Sequence, residues 1–194
     1  MATLYDIIIS LSIGGIFLSM LLGFNGTISE EAVAQTVKMM AQTNLTATTD
    51  ILDYEFRKMG YLVSVPDSTI IIADSTKIKF KGDVDGNGVL DTVTYSLEPA
   101  ASGNANKNTH MLYRTLNSTK RQNLNVGTTQ FRFWYYDGSN LPLTTPVSRP
   151  SQIKSLKIAV NIESTVPYKM ANEKYLKANP GVYWERTFKP KNLK

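Results

Sequence analysis

Between residues 83 and 91 the chain reads Asp83-Val84-Asp85-Gly86-Asn87-Gly88-Val89-Leu90-Asp91, with side-chain oxygens at loop positions one, three, five and nine, glycine at six and an apolar residue at eight. A hard cation such as Ca²⁺ takes several oxygens at about 2.3–2.6 Å, and alternate acidic residues bent around a glycine supply them. The expected ligands are Asp83, Asp85, Asn87 and Asp91, with the backbone carbonyl of Val89. Thr94 stands at position twelve, where a glutamate would give two oxygens, so Glu98, Asp74 or water would complete the shell. Such a cation would be structural, locking a loop. The same residues also suit an acidic Gly-Asn hairpin turn, since Asp, Asn and Gly are the common turn formers.

Other chemistry is sparse. The chain has no cysteine, which removes disulfides, thiolate metal sites and a cysteine nucleophile. Its one histidine, His110, lacks the partners of a His-based metal site, and no nucleophile-elbow sequence accompanies it. His110 reads as a strand-entry residue without a function, and the chain as a non-enzyme. A late basic cluster, Lys169, Lys174, Lys177, Arg186, Lys189, Lys191 and Lys194, is mixed with Tyr183, Trp184 and Phe188. Phosphate contact and base stacking would let such a surface take single-stranded nucleic acid, but a solvated face with its aromatics on the sheet is the commoner arrangement.

These residues need elements to hold them. At 194 residues and a formal charge of +5, the chain suits one core of ordinary size plus an additional element. That element is Ile7–Phe24, an uncharged apolar run of bilayer-spanning length with no polar face for solvent. A cleaved secretory signal is the rival, with Ala32-Val33-Ala34 as its cleavage site, but no Lys or Arg precedes the run. After a bend-permitting Gly23-Phe24-Asn25-Gly26, a second helix is expected, capped by Thr27 or Ser29 and running to Met59. Val33, Val37, Met40, Ala41, Leu45, Ile51, Leu52, Phe56 and Met59 would form its packing face, with Thr43, Asn44, Thr46, Thr48 and Thr49 opposite and Gly60 as a left-handed cap.

From residue 68 onward the pattern becomes short β-branched and aromatic runs. Strands are expected at 69–73, 77–81, 92–97, 111–116, 128–136 and 153–162, with breaks at 100–108 and 141–150 and an edge or loop from Pro180 to Lys194. Phe131, Phe133 and Tyr135 alternate with Arg132, Trp134 and Tyr136, as Leu156, Ile158, Val160 and Ile162 do with Lys157, Ala159, Asn161 and Glu163. The expected fold class is α+β, a long N-terminal helix packed on an antiparallel sheet. Its parts are a membrane helix over 1–26, an amphipathic helix over 27–60 and a β-rich domain over 61–194.

In this order of elements the chain resembles type IV pilins and type II secretion pseudopilins. Thr3-Leu4-Tyr5-Asp6 is similar to the start of a mature pilin, with Ala2 in place of the family's Phe. Residues 51–61, ILDYEFRKMGY, resemble the helix end of W-type minor pilins and J-type pseudopilins, as do Asp91-Thr92-Val93-Thr94-Tyr95, Leu112-Tyr113-Arg114 and Pro190-Lys191-Asn192-Leu193. The resemblance implies a filament subunit, by its size a minor one, anchored by a single pass in the cytoplasmic membrane with its β domain outside. Its partners would be other pilin-like subunits, the assembly machinery and the bilayer. Ala2 would be the mature N-terminus, and Asp6 would neutralise the terminal amine of a neighbouring subunit. Family precursors carry a short basic leader ending in Gly, where this sequence has Met1, which leaves three readings: a leader omitted from this sequence, a true start lying upstream, or a protein that inserts uncleaved. A different reading of the same residues is a membrane-tethered or secreted calcium-dependent binding domain that does not polymerise.

Overall fold

The computed structural model describes residues 2–65, 68–99, 106–164 and 181–193. One helix, α1, spans Ala2–Arg57 without interruption. At 1.5 Å per residue it is about 84 Å long. The bend expected at Gly23–Gly26 is not there. Thr27, expected as a cap, turns its hydroxyl back onto the Gly23 carbonyl at 3.2 Å, as Ser12 and Ser19 do onto Ile8 and Gly15 at 2.8 Å. In an apolar medium a broken helix leaves peptide groups without partners, which outweighs the cost of glycine, about 1 kcal/mol per residue in water. From Leu4 to Phe24 the large apolar side chains are exposed, and the segment is apolar and long enough to cross a membrane once.

Among the described residues eight antiparallel strands follow: β1 Ile70–Ala73, β2 Lys77–Gly82, β3 Asp91–Pro99, β4 His110–Leu116, β5 Lys120–Tyr136, β6 Pro142–Leu143, β7 Ser155–Ile162 and β8 Val182–Phe188. Their order across the sheet is β1-β2-β3-β4-β5-β7-β8, with β6 pairing beside β5. The α+β arrangement is therefore the one expected. Two local readings need correction. β5 begins at Lys120, eight residues before the expected start, because Asn117 and Ser118, at φ 50° and 61°, turn the chain back tightly from β4. The expected strand at 153–162 begins at Ser155, after a 3₁₀ turn at Pro150–Gln152, where proline supplies no ladder donor. Of the edge or loop expected after Pro180, the described residues form an edge strand, β8, paired to β7.

Only the last third of α1 meets the sheet. Its buried stripe is Ala41, Leu45, Thr48, Thr49, Leu52, Glu55 and Phe56, a spacing of three and four that keeps one side facing inward, and Met59, just past its end, is buried beside them. Val33, Met40 and Ile51, expected on that face, are exposed, while Thr48 and Thr49 are buried. The helical period places 48 and 49 between Leu45 and Leu52, and their hydroxyls are satisfied by the Asn44 and Thr46 carbonyls at 2.8 and 3.1 Å. Phe56 is the hub, its ring centroid 5.1 Å from Phe80, 5.5 Å from Tyr95, 5.6 Å from Phe188 and 6.0 Å from Phe133. Full burial of such a ring contributes about 2–3 kcal/mol. Gly60 closes the helix at φ 77° and donates its N–H to the Lys81 carbonyl at 2.9 Å.

Candidate functional site: the acidic loop and the helix–sheet clasp

The 83–91 loop joins β2 to β3, whose register pairs Gly82 with Asp91. That pairing brings the first loop residue, Asp83, which follows Gly82, to the same end of the hairpin as the ninth, Asp91, and both are buried. Asp83 serves as the internal scaffold. Its Oδ1 accepts the N–H groups of Gly86 at 2.7 Å and Asn87 at 3.2 Å, and its Oδ2 accepts that of Gly88 at 3.0 Å. Gly86 and Gly88 take φ of 79° and 81°, the left-handed conformation that lets these donors converge. Burial alone would push the Asp83 carboxyl up, but the Gly88, Gly86 and Asn87 donors and the Lys58 ammonium outweigh it and hold it below its ordinary value.

Asp91 is fixed from the neighbouring hairpin. Its Oδ1 accepts from the Asn117 side-chain amide at 2.7 Å, while Asn117 Oδ1 takes the Thr92 N–H at 2.8 Å and Val84 N–H reaches Asp91 Oδ2 at 3.3 Å. Asp85 is exposed and accepts from the Asn87 amide at 2.9 Å. The carboxylate oxygens of Asp83, Asp85 and Asp91 lie within 4.8 Å of one another, a separation that one Ca²⁺ with oxygens at about 2.3–2.6 Å can bridge. Of the other expected ligands, Asn87 uses its Oδ1 on the Val89 N–H at 2.7 Å, and the Val89 side chain is exposed. Glu98 pairs with Arg121 and Asp74 caps the Ser75 N–H at 2.6 Å, so neither completes this group. Lys58, at the end of α1, sets its ammonium 3.2 Å from the Val84 carbonyl and 4.6 Å from the Tyr54 ring centroid. Its pKa is raised, chiefly by Tyr54 and then by Asp83 and Asp85. The helix end therefore already gives the loop one positive charge.

A second constellation escaped the sequence reading. Glu55 lies buried between α1 and the sheet, where Tyr95 donates its hydroxyl to Oε2 and Arg114 donates to Oε1, from Nε at 2.8 Å and also from Nη2. Arg114 also reaches the Gln122 side chain at 3.2 Å. Burial, and then the Glu55 charge, push the Tyr95 hydroxyl well above its ordinary value; Arg114 keeps its proton more firmly because Glu55 outweighs its burial. One local signal was present, since Glu55 falls on the same helical face as Leu45 and Leu52 and an acid there needs a partner, but no local pattern points to Tyr95 or Arg114.

The segments 51–61, 91–95, 112–114 and 190–193 thus converge around the end of α1, since the Asn192 amide also donates to the Met59 carbonyl at 3.3 Å. At the other end of the helix, Ala2 begins α1 and Asp6 is exposed one turn later. His110 opens β4, its Nδ1 3.1 Å from the Asn108 carbonyl. Of the late basic residues, Lys169, Lys174, Lys177 and Lys194 lie outside the described residues; Tyr183 is exposed, whereas Trp184 and Phe188 pack against the core. No protein-family model matches this chain, and a search of curated proteins gave no match either.

Proposed function

We propose that the protein is a structural subunit that is stored in a membrane by the apolar half of α1 and self-assembles through that half into a filament, displaying its sheet domain outward. The observation that carries this reading is the division of one unbroken helix: Leu4–Phe24 apolar and exposed, and one face from Ala41 to Phe56 buried against the sheet. An apolar helix exposed on all sides needs lipid or like helices around it. Asp6 then sits among apolar neighbours, where a carboxylate is costly unless a cation such as a subunit's terminal amine meets it. The likeness to pilin-like proteins agrees with this assignment, and a minor position in a pilus-like or type II secretion-like filament is its finer form. Asp6→Ala should abolish filaments seen by electron microscopy yet leave the chain in the membrane fraction. Filaments of undiminished number from that variant would refute the role of Asp6 and the assembly reading with it.

We further propose that Asp83, Asp85 and Asp91 hold a structural Ca²⁺, supported by their mutual approach and by the Asn117 bridge that fixes Asp91. A tethered calcium-dependent binding domain that does not polymerise is the second reading, and the same acidic loop favours it. A mature protein beginning after Ala34 would select it over the filament.

A further inference from the structure

A cleft of about 430 Å³ opens where the end of α1 meets β8 and the closing segment. Its floor is apolar, formed by the buried rings of Phe56 and Phe188, and Tyr61 stands at its side. Its walls carry four cations, Arg57, Arg186, Lys189 and Lys191, and among the described residues none that lines it is acidic. One nearby carboxylate, Asp53, is shared between Arg57 Nε at 2.9 Å and Arg186 Nη1 at 2.6 Å. Lys189 and Lys191 are exposed and form no ion pair among the described residues. The wall that carries them is held in place, because Asn192 is tied to the Met59 carbonyl, Leu193 N–H bonds to the Pro190 carbonyl at 3.2 Å and Leu193 packs on the core.

We propose that this cleft binds a phosphorylated small molecule, with a phosphate monoester between the Arg57–Arg186 pair and the two lysines and an apolar or ring portion over Phe188 and Tyr61. Guanidinium groups match phosphate oxygens in a two-point fork, and lysines add charge without demanding geometry. Four cations against one carboxylate leave the cleft with excess positive charge that a singly charged ligand offsets less than a dianion does, which favours a dianion. The phosphates of the protein's own membrane are an unsuitable source. With the helix upright, the 33 residues from Phe24 to Arg57 carry the cleft about 50 Å beyond the apolar run. This assignment stands whether or not the chain forms filaments.

The test is calorimetric titration of the full chain in phosphatidylcholine nanodiscs with inorganic phosphate, glycerol 3-phosphate and acetate. Saturable binding of both phosphates, with acetate weaker, is expected. Lys189→Gln with Lys191→Gln should weaken phosphate binding at least tenfold. A matched variant, Lys77→Gln with Lys79→Gln on β2, should leave it unchanged. Absence of saturable phosphate binding, equal weakening by both pairs, or acetate binding as tight as phosphate would each overturn the proposal. So would a lower phosphate affinity in nanodiscs containing phosphatidic acid, since a lipid headgroup would then fill the cleft.

Discussion

Glu55 and Arg114, 59 residues apart in the chain, meet at 2.8 Å in the seam between the helix and the sheet, with side chains only 6% and 12% exposed. Each is costly to bury alone and acceptable together. Arg114→Ala should therefore lower stability by about 3–5 kcal/mol, the usual result of stranding a buried charge. Replacing both residues by Met should recover much of that loss. Urea unfolding midpoints of the two variants decide the point; an Arg114→Ala cost below about 1 kcal/mol would mean that the pair is solvated.

Asp83 predicts an acid sensitivity. Its carboxyl is held below the ordinary value of 3.8 in the folded chain, so protonation favours the unfolded chain. Its stabilising contribution is complete above that ordinary value and is lost as pH falls through the lower folded value. Without calcium, the stability gap between the wild type and Asp83→Asn should be the same at pH 7 and pH 5 and should narrow at pH 3. A gap that widens toward pH 3 would contradict the hydrogen-bond account.

Calcium should act through the same loop. At a concentration about tenfold above its dissociation constant, a ligand that binds only the folded state adds about 1.4 kcal/mol. For a domain of this size that raises the melting temperature by about 3–5 °C. Asp85→Asn, at the exposed member of the group, should remove the shift while leaving the calcium-free melting temperature near that of the wild type. Lys58→Gln should strengthen binding severalfold by removing the resident positive charge. A melting temperature indifferent to calcium would dispose of the site.

Gly82→Ala should be among the most damaging small changes. A Cβ at that position would lie 2.5 Å from the Lys58 carbonyl oxygen, a backbone atom that cannot swing away. The clash falls where α1 ends against β2, so relief requires moving either the helix end or the strand. A loss of about 2–4 kcal/mol is expected in chemical denaturation, in line with other forced overpacking. Gly88→Ala has open space around the added carbon and should cost less, through its positive φ alone.

Periodic features were legible in the sequence because a strand or helix writes its burial into adjacent residues. Phe131, Phe133 and Tyr135 point inward as their alternation requires, and Leu52, Phe56 and Met59 line one helical face. The acidic loop was equally readable, since its three carboxylates lie within nine residues. The Glu55–Tyr95–Arg114 cluster was not, because its members come from three elements and two of them are charged residues that usually seek water. The reach of Asn117 to Asp91 was hidden for a related reason. It depends on how two hairpins lie side by side, which no local pattern encodes.

The unbroken course of α1 has a mechanical consequence. A helix without a hinge is a stiff strut, and tension on its exposed half travels along the axis to the one place where it grips the sheet. There the attachment is side-chain packing, the Glu55 clasp and the Gly60-to-Lys81 backbone bond, while the strands behind it are joined by backbone hydrogen-bond ladders. Under a pull the protein would yield by shear at that seam before any strand peeled away, so the strength of the whole resides in the last five turns of the helix.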